Sequence, residues 1–119
     1  MPTEGLIADL DQARKLTEYL SQQPFIGLDT EITGLDPHQN RIRLVQLSAP
    51  GQAWVIDADQ VPLEVLRPVL EGGPVKIVQN AKFDWQFLYR KGISMHPVFD
   101  TLLADQVIYN RNFGRGLGD

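Results

Sequence analysis

The feature that most constrains the fold of this chain is a short apolar run that ends in two carboxylates. Phe25-Ile-Gly-Leu-Asp29 follows a proline and is almost entirely apolar, which is typical of a strand buried on both faces. Asp29 and Glu31 lie two residues apart on extended chain and therefore project to the same side. Two carboxylates leaving a buried strand are costly unless a positive charge lies between them. The run thus favours a cation at the end of the strand, although a solvated strand end, or a turn formed by Asp29, would use the same residues.

Strand-like and helix-like runs alternate along the rest of the chain. Apolar spacing predicts helices over 8–22, 62–70, 81–90 and 101–108. Strands are predicted over 25–29, 41–48, 53–57 and 75–78, with a short fifth ending at Phe99. We therefore expect an α/β fold with a mixed sheet, in which three leading strands are followed by β-α-β-α. The expected aromatic core residues are Phe25, Trp54 and Trp85.

Length and composition limit the classes of protein to which the chain can belong. Its 119 residues predict a single domain over 1–119, and 43% hydrophobic residues argue against disorder. The absence of cysteine excludes disulfides, zinc–thiolate sites and thiol nucleophiles. Without an apolar run of ~20 residues or a signal peptide, we expect a cytoplasmic protein with no membrane partner. A net charge of −4 argues against gripping nucleic acid by bulk electrostatics, but not against meeting phosphates through carboxylate-bound metal ions.

A second polar segment, Asn80-Ala-Lys-Phe-Asp84, follows the strand over 75–78 and opens a helix. Asp84 falls in the first turn, where the helix dipole favours an anion, and Asn80 is an ordinary capping residue, so a purely structural role is open for both. If the two buried strands are parallel neighbours, Asp29 and Glu31 meet Asp84 at the carboxyl edge of the sheet, where open α/β sheets bind ligands. Three such carboxylates repel one another, which predicts hard divalent cations between them.

These segments together resemble a known family. Phe25-Ile-Gly-Leu-Asp-Thr-Glu-Ile-Thr-Gly-Leu-Asp-Pro37 resembles the first motif of the DnaQ-like (DEDD) 3′–5′ exonucleases. Val78-Gln-Asn-Ala-Lys-Phe-Asp84, with Phe87-Leu88, is similar to their second motif. Phe99-Asp-Thr-Leu-Leu-Ala104 is similar to the segment that follows in the branch of ribonuclease D and the DNA polymerase I proofreading domain. The resemblance implies a ribonuclease H-like fold and two-metal hydrolysis of phosphodiester bonds at 3′ ends of single-stranded DNA or RNA.

The resemblance also implies a role for each motif residue. Asp29, Glu31 and Asp84 are the expected catalytic and metal-binding residues, holding two Mg²⁺ or Mn²⁺ ions, with Asp29 bridging both. Leu35 and Phe83 are expected to pack against the terminal base, with core packing as the open alternative. For Asn80, a substrate contact and a helix cap are both open.

The third motif of the family, Tyr-x-x-x-Asp or His-x-x-x-x-Asp, has no match in the printed sequence. Tyr109 is followed at the required spacing by Phe113, and His96 is followed by Asp100 four residues later instead of five. We therefore expect a chain truncated before the C-terminal helices, with three of four ligands and an apolar surface prone to self-association. A second chain that completes the site is a further possibility. The alternative function is a non-catalytic nucleic-acid-binding or assembly module.

Overall fold

The computed structural model of the chain describes residues 2–34, 36 and 38–108, and only the backbone of 105–108. Its strands are β1 (Gly5–Ile7), β2 (Phe25–Ile32), β3 (Ile42–Ala49), β4 (Gln52–Asp57), β5 (Val75–Val78) and β6 (Val98–Asp100). Its helices are α1 (Leu10–Leu20), α2 (Arg67–Leu70), α3 (Ala81–Arg90) and α4 (Thr101–Ile108), and a 3₁₀ helix over Leu63–Leu66 leads into α2.

The described strands form one six-stranded mixed sheet in the order β1-β4-β3-β2-β5-β6. The central strands β2, β3 and β4 are antiparallel neighbours, while β1 pairs in parallel with β4 and β6 in parallel with β5. Strand β2 pairs in parallel with β5, with Phe25 opposite Val75 and Gly27 opposite Ile77. The two strands that precede the acidic segments are therefore parallel neighbours, which is the condition set above for bringing those segments to one edge of the sheet. The mixed α/β sheet is confirmed.

Two elements differ from the sequence prediction. Strand β1 was not predicted, because three residues carry no readable periodicity and its partner β4 lies far along the chain. The single helix expected over 62–70 is instead a 3₁₀ helix followed by the four-residue α2, with Pro68 in the first turn of α2. Proline cannot donate the backbone hydrogen bond of a helix interior, so a new helix begins there.

The buried core explains which aromatic predictions succeed. Ile26 and Leu28 of β2 belong to one buried cluster with Trp54, which is 0% exposed. Phe25 is 44% exposed, so its assignment to the core was wrong, and so was the expectation that this strand is buried on both faces. The two-residue period of a strand places Phe25 on the same face as Asp29, opposite the buried Ile26. Trp85 is only partly buried at the edge of the core.

Candidate functional site

Strand β2 delivers two carboxylates to one side of the sheet. Along it, Ile26 and Leu28 are buried whereas Asp29 and Glu31 are exposed, which is the alternation predicted for extended chain. The two carboxylates lie at a cavity of about 360 Å³ on this face. Its lining is completed by Thr30, Leu44, Gln46 and Val55. Strand β2 thus presents acidic side chains to an open space whose walls are partly polar and partly apolar.

Asp84 reaches the same strand from helix α3. Because β5 runs parallel beside β2, α3 begins at the edge where Asp29 stands. Asp84 is only 4% exposed, and its carboxylate accepts a hydrogen bond from the hydroxyl of Thr30. Burial raises the pKa of Asp84, the Thr30 bond opposes that rise, and the negative charge of Asp29 adds to it. The structure therefore brings Asp84 next to the Asp29-Thr30 segment.

Glu31 has a different neighbour. Its Oε1 lies 3.8 Å from Nη1 of Arg43 on β3, and both side chains are more than half exposed. Such an exposed pair contributes little to stability, so it is no obstacle to a stronger ligand. Across the part of the chain that the structure describes, no three or more Asp, Glu, His or Cys side chains are grouped to hold a metal ion. Asp84 lies close enough to Asp29 for the charge of Asp29 to raise its pKa, and the full three-carboxylate cluster stays a prediction.

The first turn of α3 is held in an unexpected way. Asn80 adopts a left-handed backbone conformation, φ 57° and ψ 57°, and its side chain caps none of the described amides. The Asp100 carboxylate instead accepts hydrogen bonds from the amides of Asn80 (3.1 Å) and Ala81 (2.8 Å). The same carboxylate accepts from the amides of Leu102 (2.9 Å) and Leu103 (3.3 Å) at the start of α4.

Only half of this arrangement can be read from the sequence. Asp100 directly precedes the helix predicted over 101–108, which is the position of an N-cap, and its carboxylate caps α4. Its bonds to α3 could not be read from the sequence, because they depend on β6 pairing beside β5. Burial by itself would raise the pKa of Asp100, but the four backbone amides together outweigh it and lower that pKa.

The predicted substrate-binding residues have different surroundings. Phe83 is partly buried, and its ring lies 5.2 Å from that of Phe87, which shows a packing role. Asn80 is exposed, so its side chain is open to a ligand. Leu35 lies outside the described residues. Thr30 was not singled out from the sequence, and its position between two candidate ligands was the one available signal.

The fold and the site define a class: an α/β domain that gathers carboxylates at the carboxyl edge of a mixed sheet. A family model described as 3′-5′ exonuclease matches residues 6–117. DNA polymerase I of Aquifex aeolicus is 36% identical over 101 residues, which are 83% of this chain and 17% of that protein. Ribonuclease D of Gluconacetobacter diazotrophicus is 31% identical over 112 residues, 89% of this chain and 28% of that protein. The chain belongs to the 3′-5′ exonuclease family.

Solved structures agree on the fold. The catalytic core of RRP6 from Trypanosoma brucei superposes with a TM-score of 0.82 at 22% identity, covering 90% of this chain and 31% of that one. NrnC of Brucella melitensis superposes with a TM-score of 0.68 at 29% identity, covering 92% and 55% of the two chains. The ribonuclease H-like fold is thereby confirmed. The chain spans less than a third of the length of the curated relatives that it matches.

Within residues 2–34, 36 and 38–108, no helix has the length and apolar character needed to cross a bilayer.

Proposed function

We propose that this chain is the exonuclease domain of a metal-dependent enzyme that hydrolyses phosphodiester bonds at the 3′ ends of single-stranded DNA or RNA. The observation that carries the proposal is the buried Asp84 carboxylate, which α3 places against Thr30 and beside Asp29. A buried carboxylate facing another acid is unfavourable without a cation, so its placement suits a site that binds one.

The donor set fits a hard divalent cation. Asp29, Glu31 and Asp84 offer only carboxylate oxygens, which are the ligands that Mg²⁺ and Mn²⁺ prefer. Asp29 and Asp84 would hold the ions, and Glu31 would join them from the same face of β2 by exchanging its weak contact with Arg43. Bound divalent ions supply Lewis-acid chemistry to such a hydrolysis, lowering the pKa of an attacking water and stabilising charge on the leaving oxygen.

The remaining residues would bind the substrate or orient the metal ligands. The Thr30 hydroxyl fixes the direction of the Asp84 carboxylate, as outer partners of metal ligands do. The open cavity beside Asp29 and Glu31 gives a scissile phosphate access to the carboxylates. The exposed Asn80 is placed to contact the substrate, and Phe83 would support the terminal base from its packed position against Phe87. Leu35 is proposed as the second apolar contact to that base.

Three of the similar proteins support this assignment. NrnC of Brucella melitensis has been solved with bound Mg²⁺ and, separately, bound to pGG. The similar DNA polymerase I and ribonuclease D proteins are nucleic-acid enzymes by name, which leaves DNA and RNA both as proposed substrates.

The direct test is degradation of a single-stranded oligonucleotide labelled at its 5′ end, in the presence of Mn²⁺ or Mg²⁺. Stepwise shortening from the 3′ end is expected, with loss of activity in Asp29→Asn and in buffer containing EDTA. Asp11→Asn is the matched control, because it removes an exposed carboxylate of α1 that forms an ion pair with Lys15. Binding without shortening would support the alternative function, a non-catalytic nucleic-acid-binding module.

Metal binding can be tested apart from catalysis. A ligand at a hundredfold excess over its dissociation constant stabilises the folded state by about 2.7 kcal/mol. Saturating Mn²⁺ is therefore expected to raise the melting temperature of the wild-type chain and of Asp11→Asn, but not that of Asp29→Asn. Equal melting temperatures with and without Mn²⁺ in the wild-type chain would contradict the proposed metal site.

A further inference from the structure

Helix α3 carries Asp84 but does not cap its own N-terminus. Asn80 occupies the capping position and is among the residues best suited to capping by side chain, yet its side chain caps none of the described amides. Its left-handed backbone belongs to a turn in which the amides of Asn80 and Ala81 both donate to the Asp100 carboxylate. The cap of α3 is therefore supplied by a residue of strand β6.

One carboxylate thereby joins three elements. Oδ1 of Asp100 accepts from the amides of Asn80, Leu102 and Leu103, while Oδ2 accepts from that of Ala81. Asp100 itself lies in register with Val78, the last residue of β5. The starts of α3 and α4 are thus tied to the same point on the sheet, beside the strand end from which α3 departs.

These hydrogen bonds affect the position of Asp84, because Asp84 lies in the first turn of α3. A helix turn is stiff, so a shift of the amides at its start moves the side chains of that turn with it. The carboxylate of Asp84 is held on its other side by the Thr30 hydroxyl of β2. Thr30 fixes the carboxylate itself, and Asp100 fixes the helix that carries it.

We propose that Asp100 is a positioning residue of the exonuclease site: by capping α3 and α4 together, it places Asp84 against Asp29 and Thr30. The expected effect on metal affinity rests on the proposed function. The placement of Asp84 rests on the backbone hydrogen bonds to Asp100. Residues that orient metal ligands commonly affect metal affinity by about 10–100-fold when they are changed.

Four variants separate positioning from charge and from general stability. Asp100→Ala removes the acceptor and the charge, whereas Asp100→Glu keeps the charge but moves the carboxylate away from the amides. Asp9→Ala is the matched control: Asp9 caps α1 by accepting from the amides of Asp11 (2.8 Å) and Gln12 (3.1 Å), on an element outside the site. Asp100→Asn keeps one acceptor oxygen and provides a milder variant should the alanine variant fail to fold.

Hydrogen exchange measured by NMR tests the geometry without any metal. In Asp100→Ala, the amides of Ala81 and Leu102 are expected to exchange about fivefold faster, which corresponds to the ~1 kcal/mol that the loss of a cap costs, while the exchange rate of the Gln12 amide stays unchanged. Asp9→Ala should give the reverse pattern. In Asp100→Asn, faster exchange is expected at Ala81, with Leu102 still protected. Unchanged exchange at Ala81 in all Asp100 variants would overturn the proposal, whatever the metal results.

Mn²⁺ affinity, measured by calorimetry, tests the consequence. Asp100→Ala and Asp100→Glu are both expected to bind Mn²⁺ about tenfold more weakly than the wild-type chain, and Asp9→Ala to bind it equally well. Wild-type affinity in Asp100→Glu, with a loss only in Asp100→Ala, would show a charge effect and overturn positioning. If the wild-type chain itself binds no Mn²⁺, the proposed function fails, and hydrogen exchange alone decides whether Asp100 holds Asp84 in place.

Discussion

The carboxylate of Asp84 is buried in the folded chain. From this burial we predict how the free energy of unfolding depends on pH. Burial raises the pKa of Asp84 above the ordinary value of 3.8, so the folded state binds the proton more tightly than the unfolded state. The stabilisation that protonated Asp84 gives to the folded state is present in full below pH 3.8. It is lost as the pH rises through the raised pKa of Asp84. Without metal, Asp84→Asn should therefore match the wild-type chain in acid and exceed its free energy of unfolding at neutral pH.

Urea denaturation in EDTA across this pH range measures the difference. Asp11→Asn serves as the control, because Asp11 is exposed and forms an ion pair with Lys15. An Asp84→Asn variant that is less stable than the wild-type chain at neutral pH would contradict the prediction.

The second prediction at the scale of one residue concerns the hydroxyl of Thr30. This hydroxyl donates to the buried Asp84 carboxylate across 54 residues of chain. Thr30→Val keeps the shape and the strand preference but leaves that carboxylate without this donor, which typically costs about 1–3 kcal/mol. Thermal denaturation at neutral pH in EDTA should show the loss in Thr30→Val and recovery in Thr30→Ser, which restores a hydroxyl. Equal melting temperatures for the valine and serine variants would contradict this role.

Residue-level prediction from sequence succeeds where it depends on local geometry. The common face of Asp29 and Glu31 follows from the period of an extended chain and is confirmed. The Thr30–Asp84 bond and the Glu31–Arg43 contact could not be predicted, because each depends on the side-chain rotamers of two elements that meet only in the folded state.

At the scale of elements, the accuracy of the sequence prediction varies from one helix or strand to the next. The predicted bounds of α3 and β5 are those of the structure. Strand β1 has three residues and is specified by its partner β4, so no local signal marks it. The parallel pairing of β5 with β2 brings α3 to the end of β2, and from the sequence it could be stated only as a condition.

A buried lysine links two further segments and predicts a pH dependence. Lys76 of β5 is 0% exposed, and its Nζ donates to the carbonyls of Gly72 (2.6 Å), Pro74 (2.7 Å) and His96 (2.8 Å). Burial lowers the pKa of Lys76 from 10.5 to about 8. Between these two values the unfolded state binds more protons than the folded state, so this lysine makes the folded state more stable as the pH rises.

The measurement compares the wild-type chain with Lys76→Met by urea denaturation between pH 7 and pH 10. Over that interval the free energy of unfolding of the wild-type chain should rise by about 1–3 kcal/mol relative to the variant, given ~1.4 kcal/mol per pKa unit. Lys82→Met, on the exposed side of α3, is the control and should show no relative change. A fall in the free energy of unfolding of the wild-type chain relative to Lys76→Met would contradict a lowered pKa for the buried Lys76.

At the scale of the whole molecule, the net charge limits how the protein can bind nucleic acid. The chain carries 11 Lys and Arg against 15 Asp and Glu, and its isoelectric point is near 5.0. An acidic protein repels a phosphate backbone at long range, so its affinity should come from a few contacts instead of a basic surface. The carboxylates around Asp29 would deepen this repulsion until divalent ions reverse the local charge.

Oligonucleotide binding should therefore depend on the divalent ion. Fluorescence anisotropy with a labelled single strand is expected to show binding about tenfold or more weaker in EDTA than in Mn²⁺, because phosphates then meet uncompensated carboxylates. Asp29→Asn distinguishes this account from simple charge repulsion. Repulsion by itself predicts that removing a negative charge strengthens binding in both buffers, whereas a metal bridge predicts that the variant loses the gain from Mn²⁺. Equal wild-type affinity in EDTA and Mn²⁺ would mean that this domain holds nucleic acid through its own side chains, away from the carboxylates of β2.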